Sequence, residues 1–125
     1  MDDTPVIQRS AVPSVTGDQM REINRLMVDE FGILLLQMMA KAGLHLARLT
    51  ARIAAGGRVT VIVGGGNNGG GGLAAARRLQ SWGFGVSVVS IKPATSFTGV
   101  PATQLRPLSV SGAPSGPRRV QSLYW

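Results

Sequence analysis

Nine consecutive residues, Gly64-Gly65-Gly66-Asn67-Asn68-Gly69-Gly70-Gly71-Gly72, contain seven glycines and two adjacent asparagines. Glycine takes positive φ at no steric cost and lets the backbone approach another group closely. The apolar run Arg58-Val59-Thr60-Val61-Ile62-Val63 leads into the stretch and predicts a strand. The run Leu73-Ala74-Ala75-Ala76-Arg77-Arg78-Leu79-Gln80 leads out and predicts a helix. A helix start points free N–H groups and a positive dipole end back at the loop. Strand, glycine loop and helix in that order form a cradle suited to phosphate.

The flanks of this unit set the architecture. Thr16-Gly17-Asp18 opens a helix, with Thr16 or Asp18 as its cap, and Met20, Ile23, Leu26 and Met27 recur at helical spacing. Phe31-Gly32 ends it. A second helix is expected from about Ile33 to Ala55, its buried stripe traced by Leu34, Met38, Ala42, His45, Leu46, Leu49 and Ile53. On that stripe His45 reads as a packing residue. Gly56-Gly57 closes the helix. Residues 58–63 read as a strand buried on both faces. Gly83 stops the helix after the glycine run, and Gly85 to Ile91 form a second strand, completing a right-handed βαβ unit. The apolar runs are too short for a membrane span and the N-terminus is no secretory signal. A cytoplasmic protein with no membrane partner is the expectation.

Charge narrows the partners. Net charge is +7, but all six acids (Asp2, Asp3, Asp18, Glu22, Asp29 and Glu30) lie in the first 30 residues. From residue 31 onward there are ten basic residues and no acid. That field favours anionic partners such as nucleotides, nucleic acid or acidic lipid. It also leaves no carboxylate in the last 95 positions to serve as a general base or to hold a hard cation. The chain has no cysteine and one histidine, which argues against disulfides and zinc. Arg118-Arg119 are too few for a nucleic-acid patch, so nucleic acid is not the expected partner.

The spacing Gly64-x-Gly66-x-x-Gly69 satisfies the dinucleotide fingerprint, though a run this rich in glycine meets many patterns. The fingerprint calls for an acid at the end of the next strand, to hold a ribose. Here that strand ends Ser90-Ile91-Lys92, and a lysine suits a 2′-phosphate. No Gly-Lys-Ser/Thr follows the glycines, so the phosphate loop of nucleotide hydrolases is excluded. Asn67 and Asn68 can each donate and accept. They could orient a ribose or phosphate, offer a carbonyl oxygen to a monovalent cation, or merely tolerate left-handed backbone in a tight turn. Arg77-Arg78 could reach a loop phosphate or form a solvated face.

These residues resemble the YjeF N-terminal domain family, the NAD(P)H-hydrate epimerases. The family signature G-x-G-N-N-G-G-D-G is met at every fixed position of Gly64–Gly72 but one. Thr16-Gly17-Asp18-Gln19-Met20-Arg21 resembles the family's first helix, and Met38-Met39-Ala40-Lys41-Ala42-Gly43 its second-helix phrase. The resemblance covers about residues 16–92. It implies an α/β fold, a three-layer α/β/α Rossmann-like parallel sheet, here incomplete, with two N-terminal helices. It further implies a homodimer and epimerisation of hydrated NADH and NADPH, feeding an NAD(P)H-hydrate dehydratase. Carried over by position, substrate contacts fall on Asn67, Asn68, Gly69, Gly70 and Gly71, and the potassium ligand is Asn68.

The chain departs from the pattern in several places. The loop aspartate is Gly71, the Glu-Asn pair of the second helix is Ala40-Lys41, and the aspartate of the first helix is Asn24. No catalytic residue is assigned. The family's later aspartate loop has no counterpart, since Ala113-Pro114-Ser115-Gly116 lacks the acid. Residues 1–15 read as a flexible arm, 16–92 as the front half of the domain, and 93–125 as a Pro/Ser/Gly-rich irregular and unrelated tail with one short helix near Ala102–Leu105. Three functions remain: an epimerase, an inactive nucleotide-binding or protein-interaction module of the same fold, and a basic nucleic-acid binder whose affinity would fall steeply with salt.

Overall fold

The structure is a computed structural model of the 125-residue chain and describes residues 6–93, 96–110 and 120–122. It divides into two units, Met1–Ile33 and Leu34–Trp125.

The first unit is built on α1 (Gly17–Asp29). Thr16 is its N-cap. The Thr16 hydroxyl accepts from the Gln19 N–H at 3.2 Å, and the Gln19 side chain accepts from the Thr16 N–H at 2.8 Å. This reciprocal box satisfies two N–H groups that a helix start otherwise leaves unpaired. Arg25 binds Glu22 on one side and Asp29 on the other, and the Glu22 carboxyl is held below its usual range by that guanidinium. Gly32 takes the left-handed conformation that turns the chain out of the helix, at φ +64°.

The second unit contains α2 (Leu35–Ala54), β1 (Arg58–Val63), α3 (Asn67–Ser81), β2 (Gly85–Ser90), α4 (Gly99–Val110) and β3 (Val120–Ser122). The three strands form one parallel sheet in the order β1-β2-β3. Val59 pairs with Val86 and Val61 with Val88, so Val89 lies beside Ile62 on one face, and Val59, Val61, Val63, Val86 and Val88 line the other. On that face Val63, Val88, Leu73, Ala76 and Phe97 form one buried cluster. Ala47, Ala75 and Leu79 form a second, with Val59 and Phe84 against it. α3 is common to both clusters: α2 joins it in one and α4 in the other.

β1 differs from expectation on its other face. Its burial alternates, and Arg58, Thr60 and Ile62 are exposed. Ile62 retains 71% of its surface because no described element covers that side. The sheet is thus parallel and mixed α/β, as the sequence implies, with helices on one face and the other side of β1 exposed among the described residues.

α2 also turns differently. Met39, Gly43 and Ala47 are its buried residues, whereas Leu34, Ala42, His45, Leu46, Leu49 and Ile53 are exposed. Residue size explains this. A Cβ on Gly43 would lie 2.6 Å from the Ala74 Cβ and 2.8 Å from the Gly71 carbonyl, so α2 and α3 approach at nearly backbone distance. Only a row of small residues permits that approach, and the larger row faces outward. His45 is consequently not a core residue.

The segment after Lys92 also differs. Composition reads it as irregular, with one short helix, because prolines stand at 93, 101 and 107. Instead α4 runs for 12 residues and β3 adds a strand in register with β2. Pro101 is tolerated because it is the third residue of α4, where a backbone N–H has no partner within the helix. Residues 113–116 lie outside the described residues.

Candidate functional site

The strand ends and helix starts converge at the glycine run. β1 ends at Val63, and the Ile91 N–H donates to the Val63 carbonyl at 3.2 Å, tying the ends of β1 and β2 together. Gly64, Gly65 and Gly66 then turn the chain into α3. This is the carboxyl end of a parallel sheet, where open α/β folds bind ligands.

The helix starts earlier than the sequence suggests. α3 begins at Asn67, so the glycines at 69–72 lie within its first turns. None of the residues from Gly64 to Gly72 has positive φ. Their glycine character therefore answers to close approach and not to left-handed backbone. A Cβ on Gly69 would overlap the Gly64 carbonyl oxygen, and one on Gly70 would overlap the Met39 sulfur and lie 3.3 Å from the Pro101 Cα. A Cβ on Gly72 would lie 3.0 Å from Val63 Cγ1. Gly66 and Gly71 differ, having nothing within 4 Å of an added Cβ.

The sequence-derived site residues separate accordingly. Asn67 and Asn68 are exposed, as the first two residues of α3. Gly69 and Gly70 are buried, and Gly71 is half-buried with open space in its Cβ direction. The tight-turn reading of the asparagines does not hold, because both are helical. Gly66 caps α3 and brings no side chain to accept from the first N–H groups. Those groups face the mouth of the loop with the positive end of the helix dipole.

Lys92 joins the site from the end of β2. Its Cδ lies 3.2 Å, and its Cε and Nζ each 4.0 Å, from where a Cβ on Gly65 would stand. Ser90 sets this local geometry: its buried hydroxyl donates to the Lys92 carbonyl at 2.6 Å and accepts from the Lys92 N–H at 3.2 Å. No residue from 31 onward is acidic, so Lys92 has no carboxylate of its own unit to pair with. Arg77 and Arg78, by contrast, are ten and eleven residues beyond the start of α3, about 15 Å along its axis, and do not reach the loop.

No group of three or more histidines, aspartates or glutamates converges among the described residues. Potassium asks for several oxygen ligands, and from the second unit this chain offers the exposed Asn68 and Asn67 amides together with backbone carbonyls. The residues present do not make a potassium site by themselves.

Comparison with known proteins bears on this arrangement. The sequence matches the family described as YjeF-related protein N-terminus over residues 35–122. The chain belongs to that family. The matched span takes in α2, the glycine run, Lys92, α4 and β3. The match thus runs past residue 92, as far as residue 122. The α1 resemblance lies outside the matched span. Among solved structures, the chain is similar to the crystal structure of yeast ynu0, YNL200c, with 28% identity and a TM-score of 0.71. That likeness covers 90% of this chain and 47% of the yeast chain, so the chain spans about half the length of that relative. No curated protein matches. Among the described residues no helix is long and apolar enough to cross a membrane.

Proposed function

We propose that the chain binds hydrated NADH and NADPH at the Gly64–Asn68 end of the sheet and acts as an NAD(P)H-hydrate epimerase-like protein in cofactor repair. The observation that carries this reading is the junction of the glycine turn with the uncapped start of α3, within the family match. The N–H groups at that helix start and the Lys92 ammonium supply positive potential for a pyrophosphate or a 2′-phosphate. Asn67 and Asn68 are exposed amides beside it, able to donate to and accept from a ribose. Gly69 and Gly70 keep the backbone close enough for this mouth to form, and Gly71 borders it. Asn68 would be this chain's contribution to potassium, with no step here depending on the ion. The setting would be cytoplasmic, next to a dehydratase acting on the hydrated cofactor.

One observation favours a second reading. Epimerisation needs a proton or hydroxyl to leave and return, hence an acid–base group. The second unit has no carboxylate. A catalytically inactive nucleotide-binding or protein-interaction module of the same fold follows if no other group substitutes. Gly71→Asp separates the two, since a Cβ added there meets nothing within 4 Å. Interconversion of purified R and S epimers of hydrated NADH should be slow with the chain as it stands and faster with Gly71→Asp. Equal, background rates for both proteins would remove the epimerase reading and leave the binding module.

A further inference from the structure

In a βαβ cradle the pyrophosphate takes the N–H groups at the helix start, and the end of the second strand meets the 2′ position of the adenine ribose. A carboxylate at that strand end accepts from a 2′-hydroxyl and repels a 2′-phosphate. A cation there does the reverse.

Register puts Lys92 at this position. β1 and β2 are parallel, and Val63 pairs with Ser90. Gly65 stands two residues past Val63 and Lys92 two residues past Ser90, so the two chains leave the sheet side by side. The Lys92 side chain runs along Gly65, its Cδ 3.2 Å and its Nζ 4.0 Å from where a Cβ at 65 would stand. The Ser90 hydroxyl is buried and bonded to both the carbonyl and the N–H of Lys92. It fixes the backbone from which the lysine departs, and its own hydroxyl is thereby engaged. No acid follows residue 30, so this strand end has no carboxylate to accept from a 2′-hydroxyl. Arg52 and Arg78, in the last turns of α2 and α3, and Arg58, which opens β1, lie toward the opposite end of the sheet.

We propose that Lys92 selects the 2′-phosphorylated cofactor, so that hydrated NADPH binds this cradle more tightly than hydrated NADH, and that Ser90 is the positioning residue for the lysine. The selectivity rests on the reading of the glycine run as a dinucleotide cradle. A phosphate monoester carries a charge of about −1.5 to −2 at pH 7 and accepts from the ammonium through its oxygens. The 2′-hydroxyl of NADH is neutral and loses that attraction.

The test is a paired titration of the labelled full chain with NADP⁺ and NAD⁺, stable stand-ins for the hydrated cofactors, read at the Gly64–Gly72 amides. NADP⁺ should bind at least about tenfold more tightly, the worth of one charge-assisted hydrogen bond. Lys92→Gln should bring NADP⁺ down to the level of NAD⁺ and leave NAD⁺ nearly unchanged. Lys92→Glu should reverse the order of the two. Ser90→Ala should keep a dispersed spectrum and shrink the ratio of the two affinities; an unchanged ratio overturns the positioning role. Equal affinities in the native chain, with shifts still at Gly64–Gly72, overturn the selectivity and leave the cradle standing. So does a Lys92→Gln loss equal for both dinucleotides, which puts the lysine on the pyrophosphate. If neither dinucleotide shifts these amides, the cradle reading falls and the selectivity falls with it.

Discussion

Gly70 and Gly71 are neighbours on one helix and meet opposite surroundings. At Gly70 a single added carbon would run into Met39 and approach Pro101, so α2 and the start of α4 close on it. At Gly71 an added carbon meets nothing within 4 Å. Gly43, Gly69 and Gly72 behave like Gly70, and Gly66 behaves like Gly71. The glycine run is therefore two features in one. One part is a packing surface that lets helices and loop touch at backbone distance. The other is open, with nothing within 4 Å of an added Cβ.

Alanine substitutions break or sharpen this division, and their expected effects fall in a clear order. Gly69→Ala is the most damaging. The new Cβ would overlap the Gly64 carbonyl, which is backbone and cannot swing aside. A loss at or above the ~3 kcal/mol upper end usual for overpacking is expected in urea unfolding. Gly43→Ala comes next, with a loss of about 2 kcal/mol, because Ala74 and the Gly71 carbonyl must give way together. Gly70→Ala should cost about 1 kcal/mol, as the flexible Met39 side chain can move. Adding Met39→Ala should make that cost smaller than in the native background, giving a measurable coupling in a double-mutant cycle. Gly71→Ala should stabilise the protein by about 0.5–1 kcal/mol, the ordinary gain of alanine over glycine inside a helix. A destabilising Gly71→Ala would erase the distinction between the two parts of the run.

Local signals in the sequence were legible where one principle dominated. Thr16 marks the start of α1, Phe31-Gly32 its exit, and the apolar run 58–63 the strand β1. The expectation of burial on both faces of β1 fails because Arg58, Thr60 and Ile62 had to be weighed against a layer supplied by other parts of the fold. The buried side of α2 differs from the sequence pattern for another reason. Hydrophobicity picks Leu46, Leu49 and Ile53, but close helix contact selects small size, and Gly43 and Ala47 win. Glycine's poor helix propensity points to a start of α3 at Leu73. Packing against Met39, Val63 and Pro101 outweighs that cost and carries the helix back to Asn67. The prolines after Lys92 read as breakers, yet Pro101 falls in the first turn of α4, a position where proline costs little. Within the site, the asparagines were evident from sequence. The position of Lys92 over Gly65 was not, because it depends on the pairing of β1 with β2; the signal available was a lone base at the end of the second strand.

The binding reading is tested most directly by an amide NMR correlation spectrum of labelled protein titrated with NADP⁺, a stable stand-in for the hydrated cofactor. Shifts confined to Gly64–Gly72 and Lys92 are the expected result, and they should weaken with Lys92→Gln. A dispersed spectrum in which these amides ignore NADP⁺, or in which the shifts fall elsewhere, would contradict a dinucleotide cradle at the end of the sheet.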